Sequence, residues 1–163
     1  MSKDKTTILN RLLAIMGENR TGALSDDVAS GPVVSINKGQ YVIGSATDKP
    51  CLWARLMRPG LISDMAGGRS RTEFLLFLIT GACVATAQDV ACDDATNLMD
   101  NVENLLANYG SDLWGGGHLA WNKGDDDSPA PFGELLLDVG QDVTTAHFQL
   151  LWGCEVRINT DPL

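Results

Sequence analysis

The sequence predicts a single α+β domain over residues 1–163, with an antiparallel or mixed β-sheet, two main helices packed on one face and an extended hairpin arm. Three observations support this prediction. In the predicted strand at 144–158, residues 146–158 alternate between apolar and polar side chains, with Leu151 as the exception, as in a strand that buries one face. Residues 90–109 carry apolar side chains at helical spacing. Residues 72–85 are apolar on both alternating faces.

The first helix is expected from about Thr7 to Met16, with Asp4 or Thr6 as its N-cap. Its apolar side chains cover one broad face, and a helix this short is stable only when it packs against other elements. The polar residues 18–31 follow and are rich in turn formers. We therefore expect them to form a loop that is mobile at best.

Short apolar runs come next. Residues 32–36 and 40–43 flank the Asn-Lys-Gly triplet at 37–39, which is typical of a hairpin turn. Residues 51–57 (CLWARLM) predict a strand. Residues 58–71, which we call the arm, connect this strand to the next one. The arm is longer than an ordinary hairpin turn, so we expect either a functional projection or a flexible tip.

The strand at 72–85 is expected to be covered on both sides. One face would carry Phe74, Leu76 and Leu78, and the other Leu75, Phe77 and Ile79. Such a strand lies either under two layers of its own domain or against another subunit. Thr80 and Gly81 are expected to place a bend or bulge within it.

The second helix is expected from Val90 to Tyr109, with Asp89 as its cap. Its polar face would carry Asp93, Asp94, Asn97, Asp100, Asn101, Glu103 and Asn108. Residues 111–133 are rich in Gly, Pro and Asp and predict a long loop. A short strand at 134–139 and the long strand at 144–158 complete the predicted sheet.

The composition argues against nucleic-acid and membrane binding. The formal net charge is −9, and the 12 basic residues are scattered, so tight DNA binding is not expected. There is no run of eighteen apolar residues, and Asn10 and Arg11 interrupt the apolar part of the N-terminus. We therefore expect neither a transmembrane helix nor a signal peptide, and we expect synthesis in a cytoplasm.

The four cysteines are Cys51, Cys83, Cys92 and Cys154, and no two have CxxC spacing. Structural zinc sites usually use closely spaced pairs of ligands. Three of these thiols lie in apolar strand-like stretches, where Cys behaves as a small hydrophobe. We therefore expect buried thiols, no metal site and no cofactor.

Candidate catalytic residues are few, and we expect no enzyme activity. His147 and Cys154 would point to opposite faces of one strand, which makes them a poor catalytic pair. His118 lies in a glycine-rich segment without a visible orienting partner. Asp125–Asp127 lack the alternating ligands and distal Glu of a calcium loop, so a solvated acidic turn is the expected structure.

The order of elements resembles the tail terminator, or tail-completion, proteins of long-tailed bacteriophages. The matching segments are ILNRLLAIM, then CLWARLM with TEFLLFLITGACVA, then DVACDDATNLMDNVENLLANYG, and finally TTAHFQLLWGCEVRI. These segments cover most of the chain, but the resemblance is one of element order and strand character without a diagnostic motif. The loop at 111–133 is longer than the family pattern needs.

The resemblance implies a non-enzymatic ring, commonly a hexamer, located in the tail or neck of a virion and made in the host cytoplasm. Such a ring caps the tail tube by binding the tail tube protein, and it presents the surface that binds the head–tail connector protein. DNA passes through its pore without sequence-specific binding. Other neck or tail-tube components share this kind of sheet and stay open as alternatives. A thiol- or metal-dependent hydrolase using His118, Cys92 or Asp125–Asp127, and a small-molecule-binding module, are the alternatives from other classes.

The arm is the segment we expect to make subunit or tube contacts. It combines apolar side chains, which would make no packing contacts if they were exposed to solvent, with arginines that can pair with carboxylates. The predicted interface residues are Arg58, Leu61, Ile62, Met65, Arg69 and Arg71. The alternative is a disordered hairpin tip.

Overall fold

A computed structural model of the protein describes residues 4–42, 49–58, 62–64, 70–109, 119–120 and 133–159. Their fold is α+β, as predicted, and the sheet is mixed. The helices are α1 (Asp4–Glu18) and α2 (Gln88–Tyr109), with a 3-10 turn at Ala23–Ser25. The strands are β1 (Ser35–Lys38), β2 (Cys51–Arg58), β3 (Ile62–Asp64), β4 (Ser70–Ala85), β5 (Leu119–Ala120), β6 (Gly133–Val139) and β7 (Thr144–Asn159).

The two longest strands, β4 and β7, form the centre of the sheet. They are antiparallel, and their register runs without a break from Ser70 opposite Asn159 to Ala85 opposite Thr144. Strands β2 and β3 both pair with β4 on its edge away from β7. Strands β5 and β6 both pair with β7 on its edge away from β4. Strand β1 lies outside β2 and is parallel to it, which makes the sheet mixed.

The main core lies on one face of this sheet, which we call the helix-side face. In the register, Ala54 of β2 is opposite Ile79 of β4, and Ile79 is opposite Leu150 of β7, so these three residues lie on this face. Leu52 lies on it too, because residues two apart in a strand point to the same face. One apolar cluster joins these residues to buried side chains of both helices. The helix members include Leu12 and Met16 from α1 and Leu98, Val102, Leu105 and Leu106 from α2.

Predicted hairpin formation around residues 37–39 is wrong. Strand β1 includes Asn37 and Lys38 and pairs with β2, while residues 40–42 are not in a strand. The reason is the backbone of Gly39, whose φ of 127° is accessible to glycine and turns the chain out of the sheet. Tyr41 consequently lies over a face of the sheet and does not extend β1 along the sheet edge.

The segment at 18–31 is held against α2 by polar contacts, which the expectation of a mobile loop missed. The Asp94 carboxylate accepts hydrogen bonds from the backbone N–H groups of Ala29 (2.8 Å) and Ser30 (2.9 Å). The Asn101 amide donates to the carbonyl oxygens of Leu24 and Asp26. Leu24 and Val28 reach the main core from this segment. Asp94 is therefore buried, not part of a solvated helix face.

Two local predictions also need correction. Asp89 lies inside the first turn of α2 and is not its cap, because the helix begins at Gln88. The β4–β7 register continues through Thr80 and Gly81, so no bulge interrupts β4 there. The register irregularity lies in β2, between Leu56 and Arg58. Of the helices in the described part of the chain, none combines the length and the apolar character needed to span a membrane.

Candidate functional site

The face of the sheet opposite the main core, which we call the outer face, is assembled from alternate residues of β2, β4 and β7. The register sets Cys51 beside Ala82 and Ala82 beside His147 in one row. The next row contains Trp53, Thr80 and Gln149, and the third contains Arg55, Leu78 and Leu151. The first row of the outer face therefore combines small side chains with a histidine, and the third row combines two leucines with an arginine.

The first row is covered. His147 is 4% exposed, although the alternation in the last strand predicted a more solvated polar face. The ring of Tyr41 lies at 5.9 Å from the His147 ring, tilted by 47°, and Tyr41 packs with Cys51 and Ala82. The sequence missed this because the residue that covers His147 follows the turn at Gly39, far away along the chain.

The third row, together with Leu76 next to it on the same face of β4, is less covered and is largely apolar. Leu76, Leu78 and Leu151 are half-buried, whereas Leu75, Phe77 and Ile79 on the helix-side face of β4 are fully buried. The prediction that both faces of β4 are apolar therefore holds for these residues, but the two faces differ in burial. The half-buried leucines form an apolar surface that neither described helix covers, since both helices pack on the other face.

Two hydrogen-bond donors lie beside this apolar surface. Nε1 of Trp53 and Nε of Arg55 are buried, and neither has a hydrogen-bond partner among the residues that the structure describes. Residues two apart in a strand point to the same face, so both side chains belong to the outer face. A buried donor without an acceptor costs about 1–3 kcal/mol, which makes the pair a candidate ligand or partner site.

These two donors were not among the predicted functional residues. The signal that could have found them is the alternation in CLWARLM, where Leu52, Ala54 and Leu56 form the apolar face. The residues between them, Trp53 and Arg55, must then lie on the opposite side. Gly39 lies near Trp53, since a Cβ atom built at position 39 would be in ordinary van der Waals contact with the indole, 3.8 Å from Cζ3.

The predicted interface residues of the arm are only partly described. Arg58 is the last residue of β2 and lies opposite Leu76 of β4. Ile62 in β3 is opposite Glu73, and Arg71 in β4 is opposite Asp64. The backbone positions of Arg58 and Ile62 thus lie along one edge of β4, the strand to which Arg71 belongs. Leu61, Met65 and Arg69 lie outside the described residues, as do His118 and Asp125–Asp127.

Two of the three thiols that the structure describes, Cys51 and Cys83, are fully buried. Cys83 lies on the helix-side face, and burial raises its pKa to about 12, with a further contribution from the Asp94 carboxylate. A raised pKa keeps the thiol protonated and unreactive. Cys51 is fully buried on the outer face. The backbone of Cys154 pairs with that of Leu75 in the β4–β7 register, and its side chain lies outside the described residues.

A cavity of about 490 Å³ lies at the start of α2, lined by Gln88, Asp89, Cys92 and Leu137. Cys92 is half-buried there, and the Asp89 carboxylate is the other titratable group among the described lining residues. The described residues also contain no group of three or more His, Cys, Asp or Glu side chains arranged to hold a metal ion. The outer face therefore remains the best-supported candidate site.

Comparison with known proteins adds no relative. The chain matches no protein-family model and no curated protein sequence. The geometry of the outer face therefore provides the main basis for a functional proposal.

Proposed function

We propose that this protein is a structural virion component that self-associates into a ring, commonly a hexamer, at the end of a phage tail tube. The ring would bind the tail tube protein on one side and the head–tail connector protein on the other. The observation that carries the proposal is the half-buried apolar outer face, where Leu76, Leu78 and Leu151 lie beside two unsatisfied donors. A neighbouring subunit would cover these leucines and exclude water from them.

The charge of the chain is compatible with this role. With a formal net charge of −9, the ring would repel the phosphates of DNA passing through its pore. Repulsion lets DNA move without being held, whereas a basic pore would bind it non-specifically. The arm would add contacts between subunits or with the tube through Arg58, Leu61, Ile62, Met65, Arg69 and Arg71.

Two measurements test the proposal. Native mass spectrometry or sedimentation velocity of the purified chain should give a closed oligomer with one stoichiometry. Addition of this oligomer to polymerising tail tube protein from the same phage should stop elongation and leave tubes of limited length. A second neck component would form the ring without stopping elongation. A monomer at all accessible concentrations would contradict the proposal.

A further inference from the structure

The sheet has two open edges, one formed by β1 and the other by β6. Within the residues that the structure describes, β1 pairs only with β2, and β6 pairs only with β7. The N–H group of Gly140 donates to the carbonyl oxygen of Val143 (2.9 Å), and residues along an antiparallel pair alternate between hydrogen-bonded and non-hydrogen-bonded. The backbone N–H and C=O groups of Leu135, Leu137 and Val139 therefore point away from β7. Such groups are a template for a further strand.

Both open edges leave apolar side chains in solvent. In β6, Leu136, Leu137 and Val139 are 38%, 41% and 59% exposed, and Val34 directly before β1 is 47% exposed. Edge strands that avoid pairing with other chains commonly carry Lys, Pro or a bulge. Strand β6 has the sequence GELLLDV and an unbroken register with β7, so it has none of these three features. A strand added at either edge would cover apolar surface as well as backbone groups.

One row of residues crosses the whole sheet and ends in an apolar side chain at each edge. The row runs from Ile36 in β1 through Leu52, Gly81 and Phe148 to Leu135 in β6. Ile36 and Leu135 are both half-buried, and both pack against the main core on the helix-side face. The two ends of the row are four strand spacings apart, which is about 19 Å at about 4.8 Å for each spacing. They cannot contact each other within one copy, but they can contact each other between copies.

Strand direction and charge favour the pairing of unlike edges. Strands β1 and β2 are parallel, and the pairs β2–β4, β4–β7 and β7–β6 are antiparallel, so β1 and β6 run in opposite directions. Rotation about an axis along the strands therefore brings β6 of one copy beside β1 of the next as an antiparallel pair. Two β6 strands paired around Leu136 would set Glu134 opposite Asp138, and like charges in that position are destabilising. Residues 32–38 contain no acidic residue and end in Lys38.

We propose that neighbouring copies of this chain join edge to edge, with β6 of one copy paired antiparallel to β1 of the next. A closed ring has no translation along its axis, so the rows stay level and Ile36 of one copy lies beside Leu135 of its neighbour. Unlike edges make a head-to-tail contact, which is the kind of contact that closes into a ring. This inference rests on the proposed ring and specifies its subunit contact. It leaves the leucines of the outer face available to another part of the neighbour.

Disulfide cross-linking tests the contact. The variant Ile36→Cys/Leu135→Cys is made in a chain whose Cys92 and Cys154 are replaced by Ser, so that the native thiols that remain are fully buried. A disulfide needs Cα atoms within about 7 Å, so the two introduced cysteines of one chain cannot join. Mild oxidation of the assembled protein should therefore give a ladder of covalent multimers on a non-reducing gel, up to the size of the ring.

Two kinds of control check the face and the polarity of the pairing. Ile36→Cys/Leu136→Cys should give no ladder, because Leu136 is opposite His147 and lies on the outer face. Each single cysteine variant should stay monomeric on the same gel. Covalent dimers of Leu135→Cys alone would show that β6 pairs with β6, and covalent dimers of Ile36→Cys alone would show that β1 pairs with β1. Either result would overturn the head-to-tail contact.

Leu137→Lys tests the same edge without a cysteine, and it is the variant to use if the cysteine pair does not fold. Leu137 is 41% exposed in one copy, so the circular dichroism spectrum should stay native. Assembly should weaken at least about tenfold, because the contact would bury an ammonium group at a strand edge. Val42→Lys introduces the same side chain at a position that is 58% exposed and outside the strands, and it should leave assembly unchanged.

The possible outcomes are distinct. A ladder together with weakened assembly of Leu137→Lys supports the edge contact. If the wild-type chain forms a ring but no ladder appears, or if Leu137→Lys assembles as wild type does, the edge contact is wrong and the ring stands. If the wild-type chain is monomeric, the proposed function itself fails and the edge contact fails with it.

Discussion

Gly81 and Phe148 face each other across the β4–β7 ladder, and the phenyl ring occupies the space where any other residue at position 81 would place its Cβ atom. The ring carbons Cε1 and Cζ would overlap that atom, and Cδ2 of Leu52 would be 3.0 Å from it. Phe148 is fully buried and cannot swing into solvent. Glycine at 81 thus provides room in the core, which explains its presence in the middle of a long strand.

Replacing Gly81 by Ala should therefore destabilise the fold by about 1–3 kcal/mol, the usual effect of overpacking a core. Urea denaturation of the single variant measures the loss. Combining Gly81→Ala with Phe148→Leu should give a smaller loss than the sum of the two single changes, because the smaller side chain makes room for the methyl group. Strict additivity would contradict the proposed contact.

Leu105→Ala should cost about 2–5 kcal/mol in the free energy of unfolding, because it opens a cavity in the main core. Leu105 is 4% exposed and belongs to the cluster that joins α2 to the helix-side face of the sheet. Asn104→Ala is a matched control, since Asn104 is exposed on the same turn of the helix. Equal denaturation midpoints for the two variants would show that α2 does not pack through Leu105.

Asp94→Ala should release the segment at 18–31 from α2. The change leaves the N–H groups of Ala29 and Ser30 without their acceptor. Both residues are exposed, so water can replace the carboxylate and the cost should be about 0.5–1.5 kcal/mol for each hydrogen bond. Hydrogen exchange of these two amides should accelerate more than exchange in β4. Asp93→Ala removes an exposed neighbouring carboxylate and should leave both amides protected. Unchanged exchange in Asp94→Ala would argue against the anchor.

The Cys83 thiol should make stability decrease with rising pH in the alkaline range. Burial and then Asp94 raise its pKa in the folded chain from 9.0 to about 12, so the folded state binds more protons than the unfolded state between these values. The stabilisation is complete below pH 9 and is lost as the pH approaches 12. Cys83→Ala should flatten this part of the stability profile, whereas Cys92→Ala should retain its slope.

Replacing Leu61 and Ile62 together by Ser should impair assembly if the arm is an interface. Apolar side chains on an otherwise polar projection favour docking against a neighbour. Sedimentation velocity compares the oligomer of the variant with that of wild type, and circular dichroism checks the fold. A variant that folds and assembles normally would remove the arm from the proposed interface and leave the outer face as the contact.

The long elements were predictable because their patterns repeat over many residues. Expected and observed bounds of β4 differ only at its start, Thr72 against Ser70, and α2 begins at Gln88 where Val90 was expected. Alternation in β7 identified the residues that enter the core, since a period of two assigns each side chain to a face regardless of its partners. The α+β class follows from these elements alone.

Features that depend on distant contacts were not predictable in the same way. The helical period places Asp94 at the margin of the apolar face. It is buried in the fold because the segment that contains Ala29 and Ser30 packs against it and donates two backbone hydrogen bonds to its carboxylate. His147 is buried because Tyr41 crosses over it. The candidate site was missed for a related reason: alternation assigns Trp53 and Arg55 to one face of β2, but only the strands paired beside β2 show which residues surround them.

The uninterrupted pairing of β4 with β7 has a consequence for how the chain folds. Strand β7 follows β4 only after α2, β5 and β6, yet it occupies the position next to β4 in the centre of the sheet. During synthesis β4 therefore leaves the ribosome as a long apolar strand, and the backbone N–H and C=O groups along one of its edges have no partner until β7 is made. Non-local pairing of this kind slows folding and prolongs the time during which such an edge can pair wrongly. Until β7 arrives, the nascent chain depends on α2 or a chaperone to cover β4.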